Sequence, residues 1–327
     1  MKTGVLLVNL GSPASYSSHD VKKYLKEFLL DPRVLDLPFI LREWLVRFKI
    51  IPNRYKQTIE QYKRIWLETG SPLIHTSQEV QIALQHALGD DFIVAMAMRY
   101  QPYGEVFSIE AGLAFLQQAH VAKIVVLPLF PQYASATSGS ILEQVYSCVM
   151  HSYAIPHLHT ISHFHRHPAF IEAWTVRGNQ YPLSDYDHIL FSFHGLPERH
   201  LAKIENETLC YRTQCMQTAE AIADALKIPP HKYTITFQSR LGKEPWLGPS
   251  TPDVTLKLAG RGVKKILVFS PSFVADCLET LYEIGIELEE QFINARGERL
   301  ELVRSLNSHP QWIQALKNII INYDQLV

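Results

Sequence analysis

The chain is poor in cysteine: four in 327 residues, at 148, 210, 215 and 277, with no two spaced as CxxC. That excludes a disulfide framework and a zinc ribbon, and it fits a reducing compartment. Neither sign of charge is in excess, with 31 Lys and Arg against 32 Asp and Glu. The basic surface that a nucleic-acid partner needs is therefore missing. Long apolar runs are missing too. The longest stretch without a charged residue, 124–142, is broken by Pro128, Pro131 and a Ser/Thr/Gly cluster, which rules out a spanning helix. The apolar part of GVLLVNLG, near the start, is too short for a signal-peptide core and suits a first strand. GxGxxG and GxxxxGKS/T are absent, which argues against a dinucleotide-dependent dehydrogenase or an ATPase. SATSGS at 135–140 offers only a weak anion-binding signal at a helix start.

What remains is a soluble, at most peripheral, α/β chain. Short apolar β-branched runs recur at 5–10, 92–96, 124–129, 189–193, 233–237 and 266–269, separated by amphipathic stretches of helical length. Strands alternating with helices imply parallel sheets covered on both faces. A chain of this length exceeds one ordinary core. The pattern pauses around 152–167 and restarts, so the expectation is two doubly wound, Rossmann-like lobes, 1–155 and 156–327, with a cleft between and beside them. The last helical stretch, 310–322, is left open to pack on either lobe.

Three stretches carry chemistry. FSFHGLPERH, 191–200, ends a strand on His194 and turns at once through Gly195 and Pro197. Carboxyl ends of strands are where such folds bind ligands, and a histidine there can take or give a proton near neutral pH. The plainer role is a hydrogen bond that caps the turn. In FSPSFVADCLETLYEIGIELEE, 269–290, a helix is expected to open near Asp276, with Glu279, Glu283 and Glu287 four apart on one face. Like charges so placed repel by a few tenths of a kcal/mol each. A capping box from Asp276 to Glu279 would explain Glu279 but not the other two; a carboxylate stripe could instead pass protons or a hard cation. The loop in 236–253 exposes Ser239, Arg240 and Trp246, the last able to cover core or to face a flat ligand.

Two further features stay open. LPFILREWLVRFKII places Leu41, Trp44, Leu45 and Phe48 at i, i+3, i+4 and i+7, with Arg42, Glu43 and Arg47 elsewhere on the wheel. That stripe could pack on core, form a lip, or touch a membrane surface. HLHTISHFHRHP gathers His157, His159, His163, His165 and His167, either as a metal site on one strand face or as an exposed junction loop.

In order along the chain, VNLGSP (8–13), EQYKRIW with GSPL (60–73), MRY (98–100), FPQYASATSGS (130–140), FSFHGLP (191–197), TFQSRLGKEPWLGP (236–249) and VADCLETLYEI (274–284) resemble the ferrochelatases, which insert ferrous iron into a porphyrin. The likeness runs from Gly4 to about Asn307, and QSRLGKEPWLGP with ADCLETL is most similar to the Gram-negative bacterial branch.

The resemblance implies a chelatase-type fold and a lyase of haem biosynthesis, cytoplasmic or peripheral at the inner membrane. It implies that His194 accepts pyrrole protons or meets the metal, with Glu279 facing it across the macrocycle. Glu283 and Glu287 would continue a proton or metal path. Arg54, Tyr62, Ser71 and Ser239 would hold propionates, a task suited to bidentate guanidinium pairing, and Leu10, Tyr133 and Trp246 would touch the ring. Residues 38–51 become the apolar lip and the point of membrane contact. The branch favours protoporphyrin IX over coproporphyrin III. A non-catalytic porphyrin or haem carrier and a cobalt chelatase of precorrin-like rings are the other readings. Iron is a substrate, and no cofactor is expected to stay bound. A 2Fe–2S cluster is not expected, since Ser135 stands at the first-lobe cysteine position and Cys210 with Cys215 are too few. Cys277 stands where several members carry histidine and is expected to serve packing.

Overall fold

The first apolar run becomes β1, Thr3–Asn9, whose last six residues are buried. It lies between β2 (Phe92–Met98) and β3 (Lys123–Pro128), with β4 (His157–Thr160) beyond, all parallel. Both faces are covered, which is why these strands read as continuous apolar runs. Leu6, Val8, Ile124 and Val126 pack beneath two helices that contribute Leu113, Leu116, Ile141 and Val145. The computed structural model describes residues 2–100, 104–150, 152–240, 242 and 244–322.

The helices of this first unit are α1 (Ser18–Leu30), α2 (Phe39–Leu45), α3 (Ile51–Ile65), α4 (Pro72–Leu88), α5 (Ile109–Gln118) and α6 (Ser140–Met150). A π-helical turn, Val46–Ile50, joins α2 to α3 without a break. Another, Ser135–Gly139, feeds α6. Its geometry engages three of the backbone donors of the anion site suggested at 135–140. The N–H groups of Thr137 and Gly139 go to Ala134 O, and that of Ser140 goes to Ser135 O and Thr137 O.

The second sheet repeats the first: β6 (Tyr233–Gln238), β5 (His188–His194), β7 (Lys265–Phe269) and β8 (Arg299–Leu302), parallel and in the order β6-β5-β7-β8. Around it run α7 (Pro168–Gly178), the single turn α8 (Glu198–Leu201), α9 (Tyr211–Ala225), α10 (Thr251–Gly260), a π-helix (Glu279–Leu288) and α11 (Glu289–Asn294). Each sheet has its second strand on one side of the first and its third on the other. The switch points therefore fall between β1 and β3 and between β5 and β7, where ligands bind in doubly wound folds.

The chain divides into two compact units, residues 1–163 with 316–327, and residues 164–315. The junction lies later than the 155 expected from sequence, because His157–Thr160 forms β4 and pairs with Lys123–Val126 of β3. The terminal helix α12 (Pro310–Ile321) is shared between the units. Trp312 packs 5.9 Å from Phe164 and Phe170 in the second, while Lys317 Nζ donates to Ala87 O in the first at 2.8 Å.

The amphipathic stripe at 39–48 does not pack on core. Phe39, Ile40, Leu41, Trp44 and Phe48 are 48–81% exposed, and the buried side chains are Arg42 and Val46. The wheel placed Arg42 off the apolar stripe, and its Nη1 donates to the Leu37 and Leu35 carbonyls. Its Nε is buried without a hydrogen-bond partner among the described residues, so those two bonds offset the cost of burial only in part.

Candidate active site

β5 and β6 end side by side, with His194 in register with Gln238. The chain then turns, and Gly195 N–H donates to Gln238 O at 2.8 Å. A Cβ on residue 195 would sit 2.8 Å from that same oxygen, so only glycine allows this approach. The loop after Gly195 is laced to the one after Ser239. Glu198 N–H donates to Pro245 O, Leu247 N–H donates to Leu196 O, and Pro197 pairs with Trp246. Trp246 is thereby laid against Gly195, with Cε3 3.3 Å from where a Cβ would stand. Among the described residues its indole N–H is buried with no hydrogen-bond partner.

His194 is held at three points. Its main-chain N–H donates to Ser272 Oγ at 3.3 Å, and its carbonyl accepts the Tyr211 hydroxyl at 2.9 Å. Its Nδ1 lies 2.6 Å from the Gly195 carbonyl oxygen. A carbonyl can only accept, so Nδ1 carries the proton and, in the neutral ring, Nε2 keeps its lone pair. Burial lowers the pKa from the usual 6.5, against the opposing pull of Glu279 and the Gly195 carbonyl. At neutral pH the ring is therefore a free base.

The carboxylates come from the segment after β7. The sequence predicts an α-helix opening at Asp276; the structure has a ten-residue π-helix opening at Glu279. The capping box does not form. Asp276 Oδ1 instead accepts from Ser305 N–H and the Thr280 hydroxyl, and Oδ2 accepts from Asn307 Nδ2 and Arg304, which pins the approach to the helix. Thr280, Ile284 and Leu288 repeat every four residues and are the buried positions; Ile284 and Leu288 pack on Leu190, Ile266 and Val268. Each such burial stabilises by about 1.5–3 kcal/mol, which outweighs carboxylate repulsion of a few tenths along the neighbouring line. That line is Glu279, Glu283 and Glu287, each one residue earlier. π-Helical segments are rare and are frequently found at functional sites.

Glu283 is held from the end of β6. Ser239 donates its hydroxyl to Glu283 Oε2, and Gln238 Nε2 lies 3.5 Å from the same oxygen. Gln238 Nε2 also donates to the Glu279 carbonyl at 2.9 Å. Burial, and next the Glu279 charge, push the Glu283 pKa to about 8, so it keeps its proton at neutral pH. Ser239 reaches it from the left-handed region, at φ +65°, where a residue other than glycine is uncommon. Expected at a propionate, Ser239 has its single hydroxyl proton committed to Glu283. Glu287 is half-buried and adds a smaller charge effect on Glu283. Cys277 is buried, and burial followed by the Glu279 charge raises its thiol pKa well above the ordinary range. A thiol so placed is a poor nucleophile.

The second unit thus gathers His194, Ser239, Trp246, Glu279 and Glu283 at the carboxyl ends of β5 and β6, with Glu287 further along the π-helix. Sequence reading missed Tyr211, Ser272 and Gln238. Gln238 had a signal, a polar residue closing TITFQ, whereas Tyr211 and Ser272 arrive from distant segments.

The other residues lie in the first unit. Leu10 follows β1, and its carbonyl accepts the Tyr100 N–H at 2.9 Å. Arg54 is exposed on α3. Tyr62 on the same helix is buried and meets Trp66 edge-on at 5.6 Å. Ser71 is buried at the start of α4 without capping it by its side chain. The Tyr133 hydroxyl is 3.1 Å from where a Gly139 Cβ would stand. The loops nearby are fixed by buried Asp31, which accepts from Arg99 at 2.8 Å, Tyr100 at 3.0 Å and Ser140 at 2.5 Å. The histidine-rich stretch is divided among local tasks. His167 caps α7 by accepting the Ala169 N–H, and His165 Nε2 is 2.9 Å from Gln217 Oε1. Among the described residues no group of three or more His, Cys, Asp or Glu forms a metal site, and no helix is long and apolar enough to cross a membrane.

Comparison with known proteins places this geometry. A family model for ferrochelatase matches residues 2–323. A ferrochelatase of Legionella pneumophila is 43% identical, over 98% of this chain and 99% of its own. One of Coxiella burnetii is 40% identical, over 96% of this chain and 92% of its own. Among solved structures, SirB from Bacillus subtilis with Fe3+ superposes with a TM-score of 0.57 at 12% identity, covering 99% of this chain and 98% of that one. CbiX, described as the terminal enzyme for siroheme biosynthesis in denitrifying bacteria, gives 0.50 at 13% identity, over 97% and 98%. The two structures share the fold alone, whereas the matches in sequence run nearly end to end, and on them the chain belongs to the ferrochelatase family.

Proposed function

We propose that the chain inserts ferrous iron into protoporphyrin IX to give protohaem. The observation that carries this reading is a neutral imidazole with Nε2 unblocked, influenced by Glu279 at the head of a π-helix whose next carboxyl, Glu283, holds a proton. Metal insertion replaces two pyrrole N–H bonds by metal–nitrogen bonds and releases two protons. Nε2 of His194 is the acceptor for the first, because a neutral ring with its other nitrogen already donating can take a proton only there. Glu279 faces the incoming cation or the imidazolium and takes the second proton, and Glu283, which already holds one, passes it on toward Glu287 as it receives the next. Trp246, Leu10 and Tyr133 face the ring, and Arg54, Tyr62 and Ser71 bind its propionates. Iron is the substrate, and the reaction as written needs no resident cofactor or iron–sulfur cluster.

A membrane surface is the proposed docking partner of residues 38–51. Phe39, Ile40, Leu41, Trp44 and Phe48 are 67%, 81%, 48%, 50% and 68% exposed along one helical run, and exposed apolar side chains gathered in this way mark interaction surfaces. An apolar porphyrin is reached most readily from such a surface.

The deciding experiment is anaerobic metallation with purified protein, Fe2+ and either protoporphyrin IX or coproporphyrin III, followed by loss of free-base fluorescence. Preferential turnover of protoporphyrin IX supports the proposal. Preference for coproporphyrin III corrects the substrate, and tight binding without turnover of either means a carrier.

A further inference from the structure

Behind the carboxylates, the core of the second unit contains a line of polar side chains that packing does not require. Ser192, Thr236 and Thr251 have no exposed surface, and Gln238 has 3%. Ser192 lies on β5 two residues before His194 and in register with Thr236 of β6. Its Oγ donates to Gln238 Oε1 at 2.7 Å and lies 2.8 Å from Thr251 Oγ1, whose one proton serves either it or Thr236 Oγ1 at 2.9 Å. Hydroxyls in such a place cost stability unless satisfied, and replacing bonded partners by apolar groups of the same shape is close to neutral. Stability alone gives no reason for the chain of hydroxyls.

Its effect falls on the Gln238 amide. An amide has one accepting and one donating end; with Thr251 donating to Ser192, the Ser192 proton is left for Gln238 and fixes which is which. Oε1 must face Ser192, so Nε2 must face the π-helix, where it meets the Glu279 carbonyl at 2.9 Å and Glu283 Oε2 at 3.5 Å. A flipped amide would set its oxygen against both of those oxygens. Thr251 opens α10, so its hydroxyl comes from a rigid helix start and backs Ser192 from behind.

We propose that Ser192, backed by Thr251, is a positioning residue that locks the Gln238 amide and so holds the Glu279–Glu283 end of the π-helix in the geometry metal insertion uses. This role rests on the chelatase reading. Ser192 touches no substrate and is remote from solvent, and it acts only through Gln238.

The test uses the full chain with Ser192→Ala, Thr251→Val and Thr251→Ser. Ser192→Ala is expected to lower kcat for Fe2+ insertion about tenfold with the porphyrin KM within about twofold, the pattern of misplaced catalytic groups. Thr251→Val should share the loss, and Thr251→Ser, which keeps the hydroxyl, should not. Should Ser192→Ala fold poorly, Thr251→Val makes the same cut from the other side. In metal-free protein, the Gln238 side-chain amide should give two slowly exchanging N–H signals by 15N NMR in the parent, and faster exchange in Ser192→Ala. An active parent whose variants show unchanged kcat and unchanged amide signals overturns the proposal. A parent inert toward Fe2+ and both porphyrins overturns the chelatase reading instead, and the amide signals still report whether Ser192 locks Gln238.

Discussion

Tyr211 donates its hydroxyl to the main-chain carbonyl of His194 at 2.9 Å, so the strand end that carries the imidazole is fixed from the start of α9. Both groups are sheltered; Tyr211 is only 6% exposed. Tyr211→Phe removes one oxygen and leaves a buried carbonyl short of a donor, a loss of about 1–3 kcal/mol. That corresponds to a fall in Tm of several degrees, at about 2–4 °C per kcal/mol for a domain of this size. Turnover should fall as well, by about tenfold, because the ring moves with the carbonyl. Differential scanning calorimetry and anaerobic kinetics on one preparation check both.

The two outer carboxylates should separate by role. Glu279→Gln removes the charge nearest His194 and is expected to cost at least about a hundredfold in turnover. Glu287→Gln, at the far end of the π-helix, should cost less. Equal losses in steady-state assays would mean the helix works as one unit.

Glu283 gives a pH signature in stability. Its folded pKa of about 8 lies above the ordinary 4.5, so between those values the folded state holds a proton that the unfolded state has lost. The contribution is fully present below the unfolded value and disappears as pH rises through the folded one. The groups acting on it are Glu279 and Glu287 on its own helix, with the Ser239 and Gln238 donors opposite. Glu283→Gln cannot ionise, so its Tm should gain on the parent from about pH 5 to about pH 9. A constant difference across that range contradicts the shift.

Trp44→Ser with Phe48→Ser tests the lip. These side chains are 50% and 68% exposed, so the double variant should keep the parent's Tm within about 0.5 kcal/mol equivalent. Sedimentation with liposomes should show binding by the parent and little by the variant. Equal sedimentation of the two would remove the membrane from the account.

The sequence carried the doubly wound pattern because buried parallel strands are uninterrupted apolar runs, and it carried His194 because HGLP closes one of them. It also carried the four-residue spacing of Glu279, Glu283 and Glu287. The π-helical turn beneath them was hidden, since a shift of hydrogen bonds leaves a period of four in the apolar residues unchanged. β4 stayed open between a strand and a junction loop because its composition, HLHT, is half histidine. Arg42 points inward only because two loop carbonyls, Leu35 and Leu37, happen to await it. The bonds from Tyr211, Ser272 and Ser192 join segments far apart in sequence, and no local pattern marks them.

The most direct test of the central claim, that Nε2 of His194 takes the pyrrole proton, is Fe2+ insertion into protoporphyrin IX by the parent and His194→Ala side by side, with porphyrin affinity measured by fluorescence on the same samples. The account predicts unimpaired porphyrin binding and a fall in turnover of at least about a hundredfold. Turnover by His194→Ala within a few-fold of the parent would contradict it.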